Sequence, residues 1–136
     1  MEDDDLPADV VSELRAICLA LPEAHEERAW VGLRWRIRQR TFAHVFVVDD
    51  DSPPVLARAA GEASRPVTVL AFRSQGPELV ALTNTGPPFV NAGWGRDAIG
   101  MVLDETTDWG EVRELLVESY AALAPKRLRA QLDRPD

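Results

Sequence analysis

The chain has too little cysteine, too little histidine and too few long apolar runs for several classes of protein. Its one cysteine, Cys18, excludes an internal disulfide and any zinc site built on paired cysteines. Two histidines, His25 and His44, are too few for a zinc centre without help from acids. No apolar run approaches the roughly 20 residues that a membrane-spanning helix needs.

Sequence signatures of catalysis are also missing. There is no Gly-x-Ser-x-Gly motif and no phosphate-binding loop, and Gly93-Trp94-Gly95 is too short to be a nucleotide fingerprint. The acidic run of residues 49–51 lacks the alternate ligand spacing, the glycine and the distal glutamate of a calcium loop, so we interpret it as a solvated turn. We therefore expect no enzymatic activity, no bound metal and no cofactor.

The length and the ends of the chain indicate how it is organised. Its 136 residues are most economically one domain, with residues 1–5 and 129–136 as flexible tails. The acidic amino terminus has no apolar segment of the kind found in signal peptides, so the expected location is cytoplasmic.

Charge is distributed unevenly along the chain. The net charge is −8, and residues 1–30 carry nine acids and two bases, whereas residues 31–46 carry four arginines and no acid. The overall acidity disfavours general binding to polyanions. It leaves room for a local basic site, because charges more than about 8 Å apart are screened at physiological ionic strength.

The clearest local pattern lies in residues 31–38. One set of alternate residues is apolar and the other is mostly basic: Val31, Leu33, Trp35 and Ile37 against Gly32, Arg34, Arg36 and Arg38. This predicts a strand with an apolar face towards the helices and an arginine face away from them. Arg40 extends the arginine face if the strand runs that far. Residues 41–48 are apolar on both faces and predict a second, more central strand, joined to the first by a tight hairpin.

The remaining elements follow from periodicity and capping residues. We predict an amphipathic helix over residues 7–20, a polar connector over 23–28, strands over 67–72 and 98–103, and a short helix over 76–83. Residues 84–96 are interpreted as a loop, and a last helix begins after Thr107 or Asp108. Short connections favour antiparallel pairing. The fold class is therefore α+β: a two-layer sandwich whose antiparallel sheet of about four strands carries the N- and C-terminal helices on one face.

Pieces spread over nearly the whole chain resemble the YjbR-like family of small bacterial proteins, also called MmcQ/YjbR. They are Leu21-Pro22-Glu23-Ala24, Glu26-Glu27, Trp30, Trp35-Arg36-Ile37, Phe42-Ala43, Pro87-Pro88-Phe89, Val102-Leu103-Asp104, Asp108-Trp109, Ser119-Tyr120 and residues 124–128. Three positions depart from the family pattern. Val31 stands where the family has glycine, the family's Gly-Lys turn reads Gln39-Arg40, and Ala98 replaces a tryptophan.

The resemblance implies a fold related to the frataxin-like sandwich and to the double-wing DNA-binding arrangement. It also implies DNA binding, and it supplies no catalytic residues. The candidate phosphate contacts are Arg34, Arg36, Arg38 and Arg40, because a guanidinium group offers fork-shaped donors that suit phosphate oxygens. The alternative is a solvated sheet face whose arginines pair with nearby acids or lie along aromatic surface.

A second hypothesis places function in the loop that contains Phe89 and Trp94. These large apolar residues, with Arg96 beside them, could line a groove for a protein or a small ligand. Any of the four tryptophans, Trp30, Trp35, Trp94 and Trp109, could also stack on bases. At strand and helix positions tryptophans are more typical of the core, which leaves Trp94, in its glycine-rich loop, as the undecided one. The expected partners are thus DNA, bound weakly and in a salt-sensitive way, or another protein, and no membrane.

Overall fold

The computed structural model describes residues 6–52, 66–90 and 97–132 of the chain. Within these ranges it contains four helices and six strands. In chain order they are α1 (Ala8–Cys18), β1 (His25–Arg28), β2 (Leu33–Ile37), β3 (Arg40–Val48), β4 (Val67–Arg73), α2 (Gly76–Thr85), β5 (Phe89–Val90), β6 (Ala98–Leu103), α3 (Trp109–Leu123) and α4 (Lys126–Leu132).

The six strands form one antiparallel sheet in the order β1-β2-β3-β4-β6-β5. This confirms the α+β class and the antiparallel pairing, but the prediction of about four strands was wrong. The additional strands are β1, in the segment interpreted as a polar connector, and β5, inside the predicted loop. Both are short edge strands without an apolar alternation, so they form through pairing with a neighbour and not through a pattern of their own.

The hairpin between β2 and β3 is as tight as predicted. Ile37 pairs with Arg40, which leaves Arg38 and Gln39 as its two turn residues. Arg38 has a left-handed φ of 58°, at the turn position where glycine is favoured. The predicted arginine face was therefore wrong at its end, since Arg38 belongs to the turn and only Arg34 and Arg36 lie on β2.

The main core lies between the sheet and α1 and α3, which cover one face as predicted. Leu33, Trp35 and Ile37 are buried on this side. Val31 was predicted on the same face but packs against the opposite one, with Phe46, Val48, Val67, Val69 and Ala71. The reason is that β2 begins only at Leu33, after a left-handed backbone at Gly32 with φ of 73°.

Two side chains of α3 fix that helix on the sheet and on the segment that follows α1. The fully buried hydroxyl of Ser119 accepts a hydrogen bond from the Arg73 N–H at 2.8 Å and donates one to the Phe42 carbonyl at 2.7 Å. The Tyr120 hydroxyl donates to the Pro22 carbonyl at 2.5 Å. These bonds join residues that are 46, 77 and 98 positions apart in the chain.

The predicted N-cap of α3 agrees with the structure, whereas the prediction for the chain that follows α3 does not. Its N-cap is Asp108, one of the two predicted caps, whose carboxylate accepts from the Gly110 and Glu111 N–H groups. Beyond Pro125 the chain was predicted to become a flexible tail from residue 129, but α4 continues as far as Leu132 and buries Leu128 completely. Residues 1–5 and 133–136, the other predicted tail positions, lie outside the described residues.

Candidate nucleic-acid interface

The sheet face opposite the helices has an apolar half and a polar half. Alternate residues of paired strands share a face, and a register shift between Trp35 and Arg36 in the β2–β3 pairing brings Thr41 to the same face as His44. The registers therefore group these polar residues on one face: His25, Glu27, Arg34, Arg36, Thr41, His44 and Arg73. We call this polar half, together with Arg40 at the start of β3, the outer basic face. It lies beside the buried apolar residues around Phe46.

Glu27 of β1 sits among the positive groups of this face. It lies directly opposite Arg34 in the strand register. Arg34 donates to Glu27 Oε1 from Nε at 3.1 Å and from Nη2 at 2.8 Å, and Arg36 Nη1 lies 3.4 Å from the same oxygen. His25 Nε2 is 3.5 Å from Oε2. The hydrogen bonds from Arg34 hold the pKa of Glu27 below its usual value, so one ionised carboxylate is shared by two guanidinium groups.

Arg36 and Arg73 are held by the backbone as well as by acids. Arg36 also donates to the Gln39 carbonyl, and its buried Nε has no hydrogen-bond partner in the described part of the chain. Arg73 Nη1 lies 2.9 Å from Asp97 Oδ1, and its Nε lies 3.5 Å from the Thr41 carbonyl. Both guanidinium groups are therefore fixed in position, which lowers the entropic cost of using them to bind a ligand.

Two adjoining pockets open on the outer basic face. The first has a volume of about 210 Å³, and its lining includes Trp30, Arg34, His44 and Arg73. The second has a volume of about 500 Å³ and is lined by Arg36, Gln39, Arg40, Thr41, Arg73, Asp97 and Leu123. Thr41 and Arg73 line both, so the two pockets form one continuous surface.

The structure brings together some of the predicted site residues and separates others. Arg34, Arg36 and Arg40 border the two pockets. Arg38, in the turn, instead places Nη2 3.3 Å from Glu23 Oε1. In the proposed loop groove, Phe89 is buried in the main core, whereas Trp94 and Arg96 lie outside the described residues, so the interaction-module hypothesis stays a prediction.

Two residues that line the pockets were not among the predicted site residues. Arg73 directly follows the predicted strand of residues 67–72, and a strand extended by one residue would have included it, although its place beside the other arginines depends on strand register. Trp30 was one of four tryptophans considered for base stacking, but the core was the preferred expectation for it, and 73% of its surface is exposed. Its position before the Val31-Gly32 break, outside the regular alternation, was the available signal.

The histidine and the cysteine considered as functional groups both have structural environments. His44 Nε2 lies 2.6 Å from the Val31 carbonyl, and burial lowers the pKa of the ring, so the neutral imidazole donates its N–H there. Burial, and secondarily the charge of Glu26, raises the pKa of the Cys18 thiol, which agrees with a core position.

Two further kinds of feature, a metal-binding cluster and a membrane-spanning helix, are absent from the described ranges. No group of three or more histidine, cysteine, aspartate or glutamate side chains is placed to hold a metal ion there. Among the helices found in those residues, none has the length and apolar character to cross a membrane.

Comparisons with known proteins agree on the fold. A family model named YjbR matches residues 19–122. The crystal structure of Deinococcus radiodurans protein DR2400, which carries the DUF419 domain, is similar with a TM-score of 0.61 at 20% sequence identity, and the match covers 93% of this chain and 89% of that one. At this identity the similarity shows the fold alone. No curated protein matches the sequence.

Proposed function

This chain belongs to the YjbR family, and we propose that it is a non-enzymatic protein that binds nucleic acid weakly through its outer basic face. The observation that carries the proposal is the clustering of four guanidinium groups around two adjoining open pockets, on a chain whose net charge is −8. The groups belong to Arg34, Arg36, Arg40 and Arg73.

The local charge supports binding of an anion. Among the described residues, two carboxylates, those of Glu27 and Asp97, pair with arginines of the cluster, so within that part of the chain the four guanidinium groups leave a surplus of two positive charges. Charges elsewhere on the protein are screened beyond about 8 Å. The outer basic face therefore presents a positive potential at short range, even though the whole molecule is acidic.

The internal ion pairs are those expected of a solvated sheet face, and a phosphate that binds here must compete with them. Side chains that are about one third exposed, such as Arg34 and Glu27, form a pair at the protein surface. Such pairs stabilise a protein only weakly, because solvent screens the charges and holding both side chains in one geometry costs entropy. A phosphate oxygen that accepts from the same donors replaces most of this energy, because charge-assisted bonds to phosphate and to carboxylate have similar geometry. The cost of displacing Glu27 lowers the affinity, which is why we expect weak binding.

The proposal predicts a measurable salt dependence. If about three arginines each neutralise one phosphate, the slope of log K against log salt is about −2.7 for duplex DNA. Raising the salt from about 50 to about 200 mM then weakens binding about 40-fold. Fluorescence anisotropy with a labelled oligonucleotide across this salt series measures the slope.

A pair of triple variants tests the location of the site. Arg34→Ser, Arg36→Ser and Arg40→Ser together remove three charges from the outer basic face and should flatten the salt slope. Arg113→Ser, Arg127→Ser and Arg129→Ser remove three charges from exposed positions on α3 and α4, and should leave the slope unchanged. Circular dichroism checks that both proteins are folded.

Three outcomes would overturn the proposal. They are no binding at about 50 mM salt, binding that survives the loss of the three arginines of the face, and equal losses in the two triple variants. The last would show that net charge alone, rather than the outer basic face, controls the interaction.

A further inference from the structure

Trp30 is the most exposed large apolar side chain in the described part of the protein. Of its surface, 73% is accessible, whereas Trp35 is completely buried and Trp109 is partly buried in the main core. Tryptophan contributes more apolar surface than most side chains and is usually well covered in a folded protein. Its exposure beside a pocket lined by arginines leaves the indole accessible to a ligand that enters that pocket.

The segment that carries Trp30 is held firmly against the sheet. The Ala29 N–H donates to the Gly32 carbonyl at 3.0 Å, which closes the connection between β1 and β2. The Val31 carbonyl, directly after Trp30, accepts from His44 Nε2 at 2.6 Å. The backbone on both sides of Trp30 is thus held in place.

Gly32 brings the same segment into close contact with β3. A Cβ atom on Gly32 would lie 1.9 Å from the Val45 carbonyl oxygen, so the backbone approaches β3 more closely than any other residue would permit. The Trp30 ring is consequently carried on a segment positioned before any ligand arrives, and little backbone entropy is lost on binding.

The pocket beside Trp30 combines an aromatic side chain with cationic donors. Its lining includes Trp30, Arg34 and Arg73, and its volume is about 210 Å³. This is smaller than the roughly 300–1,000 Å³ typical of pockets for drug-sized ligands. An exposed aromatic ring next to guanidinium groups is the arrangement by which proteins stack single bases and bind the adjoining phosphates.

We infer that this pocket receives one unpaired base stacked on Trp30, so that the ligand class of the outer basic face is single-stranded nucleic acid. The inference rests on the proposed function and deepens it. In a duplex both faces of an internal base are covered by its neighbours, so only an unpaired or terminal base can lie against the Trp30 ring. Arg34 and Arg73 then contact the phosphates on either side of that base.

Comparing oligonucleotides of equal length separates stacking from phosphate contact. A 12-nucleotide thymidine strand, an abasic strand with the same phosphates, and a 12-base-pair duplex are titrated into the full chain at about 50 mM salt. The thymidine strand should bind more tightly than the abasic strand by about 5- to 150-fold, the range observed when one base–aromatic stack is removed.

Substitutions at Trp30 give the second part of the test. Trp30→Ala should weaken thymidine-strand binding by the same factor and leave abasic-strand binding unchanged. Trp30→Phe keeps an aromatic face and should restore most of the affinity. Val80→Ala, which shortens another exposed apolar side chain, on α2, is the matched control and should have no effect.

The outcomes distinguish the inference from the proposed function. If no oligonucleotide binds, the proposed function itself is wrong. The stacking inference alone is wrong if the three oligonucleotides bind equally and Trp30→Ala has no effect, while the triple variant of the outer basic face still loses binding. That result would show that the face contacts phosphates only.

Discussion

The indole of Trp35 on β2 donates a hydrogen bond from Nε1 to Oε1 of Glu26, its paired residue on β1, at 3.1 Å. Glu26 is held in turn by Arg15 of α1, which donates from Nε and Nη2 at 2.9 Å each. A fully buried tryptophan therefore has its one polar atom satisfied by an edge strand. The same carboxylate ties α1 to the sheet.

The two tryptophans of the first hairpin should differ sharply in their effect on stability. Trp35→Ala should lower the free energy of unfolding by about 3–5 kcal/mol, because it leaves a cavity in the main core. Trp30→Ala should change it by about 0.5 kcal/mol or less, since its side chain is mostly exposed. Urea denaturation of both variants measures the difference. Similar losses in the two proteins would contradict the burial pattern described above.

The Glu26 carboxylate should make stability depend on pH in the acid range. The hydrogen bond from Arg15 is the main cause that lowers the pKa of Glu26 in the folded protein. Ionised Glu26 therefore stabilises the fold above the pKa of the unfolded chain, about 4.3, and this contribution disappears as the pH falls through the folded-state pKa.

Glu26→Gln tests this pH dependence, because glutamine retains an oxygen acceptor for Trp35. The variant should be less stable than the wild type by about 0.2–1 kcal/mol near neutral pH, since Arg15 is about half exposed. The difference should shrink as the pH is lowered below about 4. Glu13→Gln, at an exposed position of α1, is the control. A difference that stays constant between about pH 7 and about pH 3 would contradict the prediction.

Gly32 should be one of the least replaceable positions in the chain. Gly32→Ala places a Cβ 1.9 Å from the Val45 carbonyl oxygen and strains a left-handed backbone, so it should cost more than about 3 kcal/mol. Gly76→Ala has a similar φ of 62° but meets no atom within 4 Å, and should cost only about 1–2 kcal/mol. Thermal and urea unfolding compare them. Equal losses would show that the backbone around Val45 can move aside.

Arg38 should be replaceable by glycine with a gain in stability. Its left-handed backbone costs about 1–2 kcal/mol, and its ion pair with Glu23, in which both side chains are about half exposed, contributes little. The greater freedom of glycine in the unfolded chain opposes folding by about 0.5–1 kcal/mol and offsets part of this gain. Arg38→Gly should therefore stabilise the protein by up to about 1 kcal/mol. Gln39→Gly has no left-handed strain to relieve and should destabilise it. If both variants lose stability, the turn is not strained at Arg38.

Sequence reasoning predicted the elements whose packing residues are close together in the chain. Strand β6 was predicted with its observed bounds, residues 98–103, and the cap of α3 fell on one of two predicted residues. In each case the deciding signal lies within a few residues, either as a run of apolar side chains or as an Asp-x-x-Glu cap.

The strands that sequence reasoning missed have no such local signal. Residues 25–28 are His-Glu-Glu-Arg, and they form a strand because β2 offers unpaired backbone groups and arginines opposite Glu27. The two residues of β5 are too few to show any alternation, and they pair with β6 from across a loop. A strand of this kind is specified by its partner.

The sequence by itself determined the apolar and basic sides of β2, because alternation on a strand is fixed by backbone geometry. It also determined that Arg34 and Arg36 would face away from the helices. Only the tertiary structure decided which acids pair with those arginines, that Arg73 joins them, and that Trp30 is exposed beside them. The physical reason is that these relationships depend on strand register and on the turn at Gly32, which are set by contacts between residues distant in the chain.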